Sequence, residues 1–101
     1  MNPKDFVHKL LKPDGSVVDY PPAGKAYTRE ELQKAVEGYI GVVKLLEGYI
    51  MIINEEGQRK GLPINDKATE LFRADPFRRL FLSDHIVGNA LVCRSRGKHI
   101  V

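Results

Sequence analysis

Hydrophobic and polar positions along the chain fall into short blocks, most of them apolar runs of strand length and two with the spacing of helices. Phe6–Tyr20 is apolar on either side of Pro13-Asp14-Gly15, whose fixed φ, local Asp hydrogen bond and permissive Gly make a turn. The pattern predicts a β-hairpin over 6–20. Pro21-Pro22-Ala23-Gly24 then reads as a linker. Thr28-Arg29-Glu30-Glu31 has the spacing of a capping box, Tyr27 and Leu32 occupy the flanking staple positions, and Leu32, Ala35 and Val36 share one helical face. A helix over 28–37 follows, with Gly38 placed for a left-handed cap. Tyr39–Leu46 and Tyr49–Asn54 are apolar nearly throughout and flank Glu47-Gly48, so an antiparallel hairpin is expected over 39–54, covered on both faces or buried mid-sheet.

The pattern breaks at Asn54-Glu55-Glu56-Gly57 and resumes after Gly61-Leu62-Pro63. Asn65 is a good N-cap, Asp66 complements the helix dipole, and Ala68, Leu71 and Phe72 align, so a helical region is predicted over 65–82. Asp75-Pro76 interrupts it and starts a further turn, whose stripe Phe77, Leu80 and Phe81 leaves Arg78 and Arg79 outside. His85–Arg94 reads as a last strand with Gly88 at its middle, a bulge or a close backbone approach, and 95–101 as a mobile basic tail. Together these predict one α+β domain over 1–101: an antiparallel or mixed sheet of about four to six strands with two main helices packed on one face.

Composition adds limits. At 101 residues one core forms without staples. No apolar run reaches the roughly 18 residues of a membrane span, and Met1–Asp5 lacks the build of a signal peptide, so a cytoplasmic protein is expected. The single Cys93 rules out an internal disulfide. Net charge is +3, unevenly placed: seven Lys/Arg against nine Asp/Glu in 1–56, and nine against four in 57–101. A basic C-terminal half attracts phosphates; a face of solvated mixed charge accounts for it as well. A nucleic-acid mimic would be strongly acidic, and this chain is not.

No nucleophile elbow, Walker motif, dinucleotide fingerprint or zinc-ligand spacing is present, so no enzyme, cofactor or metal is expected. His8, His85 and His99 are scattered, and Glu55 and Glu56, being adjacent, diverge. Tyr39 and Tyr49 read as core residues with wet hydroxyls. The remaining candidate is the loop of 54–63 with the helix start behind it, where Asn54, Arg59, Lys60, Asn65 and Thr69 supply donors for an anion. Capping by Asn65, a turn at Gly57 and solvated Arg59 and Lys60 give the same stretch a purely structural account.

Three pieces of the sequence carry a family resemblance: Gly38-Tyr39-Ile40-Gly41-Val42-Val43; the block Asn54-Glu55-Glu56-Gly57-Gln58-Arg59-Lys60-Gly61-Leu62-Pro63-Ile64-Asn65-Asp66-Lys67-Ala68-Thr69; and Ile86-Val87-Gly88-Asn89-Ala90. They resemble a small domain-of-unknown-function family of phages, plasmids and mobile elements with the motif N-E-E-G-x-x-K-G-L-P-x-N-x-x-A-T. Many relatives carry Asp where this chain has Asn89. The resemblance implies a setting rather than an activity: a non-enzymatic, homo-oligomeric binding protein, expected as an anti-defence sponge for a nucleotide-derived signal of cyclic-nucleotide or ADP-ribose type. The alternative is a module that binds nucleic acid or a host protein through Arg73, Arg78, Arg79, Arg94, Arg96 and Lys98, acting as a regulator or inhibitor.

Overall fold

The computed structural model describes residues 1–74 and 85–101. Six strands form one antiparallel sheet: β1 (Lys9–Leu11), β2 (Val17–Asp19), β3 (Ile40–Lys44), β4 (Tyr49–Asn54), β5 (Ala90–Arg96) and β6 (His99–Ile100). The strand order is β2-β1-β5-β4-β3, and β6 folds back along the far end of β5. Among the described residues three α-helices accompany them: α1 (Arg29–Val36), the single turn α2 (Gly57–Lys60) and α3 (Asp66–Arg73). Among the described residues no helix is long and apolar enough to cross a membrane.

The α+β class, the hairpin within 6–20, the helix starting after Thr28 and the β3–β4 hairpin are as the pattern predicts. Thr28 Oγ1 accepts from the Glu31 N–H (3.2 Å) while Glu31 Oε1 accepts from the Thr28 N–H (2.8 Å), which closes the capping box. Tyr27 and Leu32 join one cluster with Ala35 and Val36, as the staple requires. Leu45 and Tyr49 close β3 onto β4 through a short turn over Leu46–Gly48.

The helices do not share one face. Leu10, Ile50, Ile52, Leu91 and Cys93 point toward α1, whereas Leu11, Met51, Ala90 and Val92 point toward Ala68 and Leu71 of α3. Successive strand residues face opposite ways, so runs such as Tyr49–Ile53 that are apolar at every position require cover on both sides. α1 supplies one cover and α3 the other.

Three boundaries also differ. Glu37, not Gly38, takes the left-handed conformation after α1 (φ 60). Gly38 is needed for a different reason: a Cβ there would lie 2.7 Å from Asn54 Nδ2, the group that caps this helix end. The last strand starts at Ala90 rather than His85, and Gly88 lies before it at φ 73, where Ile64 and Val87 form an isolated bridge. A Cβ on Gly88 would stand 2.8 Å from Leu62 Cδ1, so the expected close approach is real although the strand position was not. Finally, 95–101 is no free tail: β5 runs on to Arg96, β6 pairs with it, and Arg94 and Val101 exchange backbone hydrogen bonds. α3 is described to Arg73, and the continuation expected through Asp75-Pro76 to residue 82, with Arg78 and Arg79, lies outside the described residues.

Candidate functional site

The stretch from β4 to α3 divides into an interior half and an exposed half. Asn54 ends β4 and is only 4 % exposed. Its Nδ2 donates to the Val36 carbonyl (3.1 Å) and, at 3.5 Å, to that of Glu37, while its Oδ1 accepts from the Glu56 N–H (2.9 Å). Asn89 Nδ2 donates to the Ala35 carbonyl (3.1 Å). Two asparagines from different strand ends thus satisfy the terminal carbonyls of α1, which have no partner within the helix.

Asn65 is more deeply committed. It is fully buried. Its Oδ1 accepts from the Ala68 N–H (3.2 Å) as the α3 N-cap, and its Nδ2 donates to Leu11 O (2.9 Å) and Gly88 O (2.8 Å). Its backbone N–H donates to Ile86 O, and its carbonyl accepts from Thr69. Thr69 Oγ1 in turn accepts from the Ile86 N–H (3.0 Å). Asn65 and Thr69 therefore stitch α3 to β1 and to 86–88. Of the five residues expected to contact a ligand, Asn54, Asn65 and Thr69 have their polar groups engaged inside the protein.

Arg59 and Lys60 are the other two, and both are exposed. They lie in α2, a helical turn where a plain loop was expected, and both pair with Glu56; Lys60 Nζ is 3.8 Å from its Oε1. Lys60 and Glu56 border an open groove of about 210 Å³ with Gln33, Gly38 and Tyr39. Tyr39, expected in the core, is 63 % exposed there. It precedes β3, the strand at the edge of the sheet. Tyr49, by contrast, is buried as expected, and its hydroxyl accepts from Arg94.

A second exposed feature is the β5–β6 hairpin. Arg94, Arg96 and Lys98 stand on it with His99, and no carboxylate side chain occurs between Arg94 and Val101. Arg94 lies 4.6 Å over the Tyr49 ring. Arg94 and Arg96, two residues apart, share the α3-side face, and His99, paired with Arg96, joins them. Gly97 takes φ 60 in the turn. Arg96-Gly97-Lys98 followed by His99-Ile100-Val101 held the signal for this hairpin, a turn glycine before an apolar end; read as basic residues alone, it looked like a tail.

Reactive groups are muted. Burial pushes the Cys93 thiol up to about 12, so it stays protonated at neutral pH. Tyr27 is raised well above the usual phenol range, mainly by burial and then by neighbouring acidic groups. Its hydroxyl donates to Tyr20 O, the Tyr20 ring stacks on it, and the His8 ring meets it edge-on. His8 is strained at φ 62. Among the described residues no group of three or more His, Cys, Asp or Glu side chains is placed to hold a metal.

No curated protein and no solved structure matches the chain. The profile of one family does, over residues 10–101, so that the match takes in all of the sheet but Lys9, both asparagine caps and the β5–β6 hairpin. The chain belongs to that family, described as a domain of unknown function (DUF3846).

Proposed function

We propose that this chain is a non-enzymatic binding protein for phosphodiester ligands, with the β5–β6 hairpin as its contact surface. The observation that carries this reading is the ordered two-stranded display of Arg94, Arg96, Lys98 and His99 with no carboxylate side chain among them. Residues two apart on a strand are about 7 Å from each other, so Arg94 and Arg96 address successive groups along a chain rather than one point. Arg94 is stiffened by its Tyr49 stack, which lowers the ordering entropy of a contact. Anisotropy titrations of a labelled single-stranded oligonucleotide across salt test it. With about three cations engaged, log K falls against log salt with a slope near −2, and R96A/K98A reduces that slope by about 1.4. No binding at low salt, or a slope indifferent to both substitutions, refutes the reading.

The second reading is sequestration of a nucleotide-derived signal, the anti-defence role implied by the resemblance to phage and mobile-element proteins. Its observation is the exposed Tyr39 ring beside Lys60 in the α1–α2 groove. At about 210 Å³ the groove is below the usual range of roughly 300–1,000 Å³ for small-molecule sites, so it takes one end of such a ligand. Glu56 and the carbonyl end of α1 oppose a phosphate there, which places this reading second. Calorimetry against cyclic nucleotides and ADP-ribose derivatives tests it, with Y39A and K60A expected to remove the heat; no heat from any of them at sub-millimolar concentration ends it. Ligand recovered intact after heat release distinguishes sequestration from turnover.

A further inference from the structure

The two edges of the sheet are treated differently. In the β1–β2 hairpin, Tyr20 N donates to His8 O and Lys12 N to Ser16 O, so only Val17 and Asp19 turn backbone groups outward on β2. That edge is short, carries Asp19 and runs into Pro21-Pro22, all devices that discourage strand addition. The β3 edge has none at its centre. Glu55 N donates to Tyr39 O and Leu45 N to Tyr49 O, which fixes the odd-numbered residues as those bonded to β4. Ile40, Val42 and Lys44 therefore direct their N–H and C=O groups away from the sheet, and no described residue bonds to them. Val42 is 55 % exposed.

We infer that β3 pairs antiparallel with β3 of a second copy of this chain, on a two-fold axis through Val42. That register is self-complementary: Ile40 meets Lys44 of the other copy, Val42 meets Val42, and all three outward N–H groups of each copy find carbonyls. Six backbone hydrogen bonds and a Val–Val contact result. The charges agree with it. Lys44, the one charge on β3, lies about 14 Å from its counterpart, four residues along the paired strands. It comes instead opposite Ile40 of the other copy, so no two like charges face each other within the paired strands. A foreign strand is a poorer fit, since nothing beyond the backbone of β3 would select it.

Light scattering on the full chain tests this pairing. Wild type is expected at twice the 11.4 kDa chain mass and V42K at the single mass, because the substitution sets two ammonium groups face to face on the axis. V42P, which removes an outward donor while leaving the β4 ladder intact, gives the same shift. Circular dichroism shows that both variants keep the native fold, as expected for a half-exposed position. Amide exchange of wild type needs no substitution: the Ile40, Val42 and Lys44 amides gain protection between about 10 μM and 1 mM while those of Gly41 and Val43 stay unchanged. A wild type of single mass with no such gain, or a doubled mass that survives V42K, overturns the inference.

Discussion

Asn65 is the residue whose replacement discriminates most sharply between a scaffold and a binding site. Truncation to Ala removes the α3 N-cap, which contributes about 1 kcal/mol. It also removes both donors to Leu11 O and Gly88 O at a position of 0 % exposure, where no water replaces them. Each of those bonds contributes about 1–1.5 kcal/mol net, and the orphaned carbonyls keep their desolvation penalty. N65A is thus expected to lose about 3–4 kcal/mol, a large part of the roughly 5–15 kcal/mol of a domain. In urea, with m between about 1 and 3 kcal/mol/M, the midpoint falls by about 2 M at constant m. N65S retains a cap oxygen without the two donors and recovers only about 1 kcal/mol. N65D sets a carboxylate against two carbonyls; it is worse than N65A at neutral pH and recovers in acid, when the protonated side chain donates once. Were N65A to lose under about 1 kcal/mol while weakening ligand binding, the assignment of Asn65 to the scaffold would be refuted.

Other outcomes follow from single contacts. G88A combines φ 73 with a Cβ 2.8 Å from Leu62 Cδ1, and is expected to lose about 1–3 kcal/mol by urea titration, part of which L62A restores in the double mutant. Glu31 is held below the usual carboxylate range, chiefly by the Thr28 N–H and then by that of Ala23. Its lowered folded pKa means that its contribution is present at neutral pH and lost as pH falls through that pKa; E31Q, with nothing to titrate there, is expected to show a shallower acid limb in melting temperature against pH. Cys93, fully buried with its thiol raised to about 12, is expected to react with Ellman's reagent only at the rate of unfolding; immediate colour from native protein contradicts its placement.

Much of the local structure was legible because its causes are local. The Thr28–Glu31 box, the Pro13–Gly15 turn and the Asn65 cap depend on residues within three or four positions of one another, and each appears where the spacing puts it. What the sequence could not show is where side chains reach across the fold. Asn54 and Asn65 looked available because their partners, Val36, Leu11 and Gly88, lie 18, 54 and 23 residues away. The same distance hid the reason for Gly38 and Gly88, which are excluded-volume constraints set by Asn54 and Leu62.

By itself, then, the sequence determined the α+β class, the β1–β2 and β3–β4 hairpins, the starts of α1 and α3 and the burial of β4, all consequences of periodicity and capping. Tertiary structure decided the rest: the opposite placement of α1 and α3, the docking of β6 on β5, the exposure of Tyr39 and the interior role of Asn54, Asn65 and Thr69. The physical reason is that a polar side chain satisfies the nearest unpaired backbone group in space, and which group is nearest is fixed only once the sheet has closed.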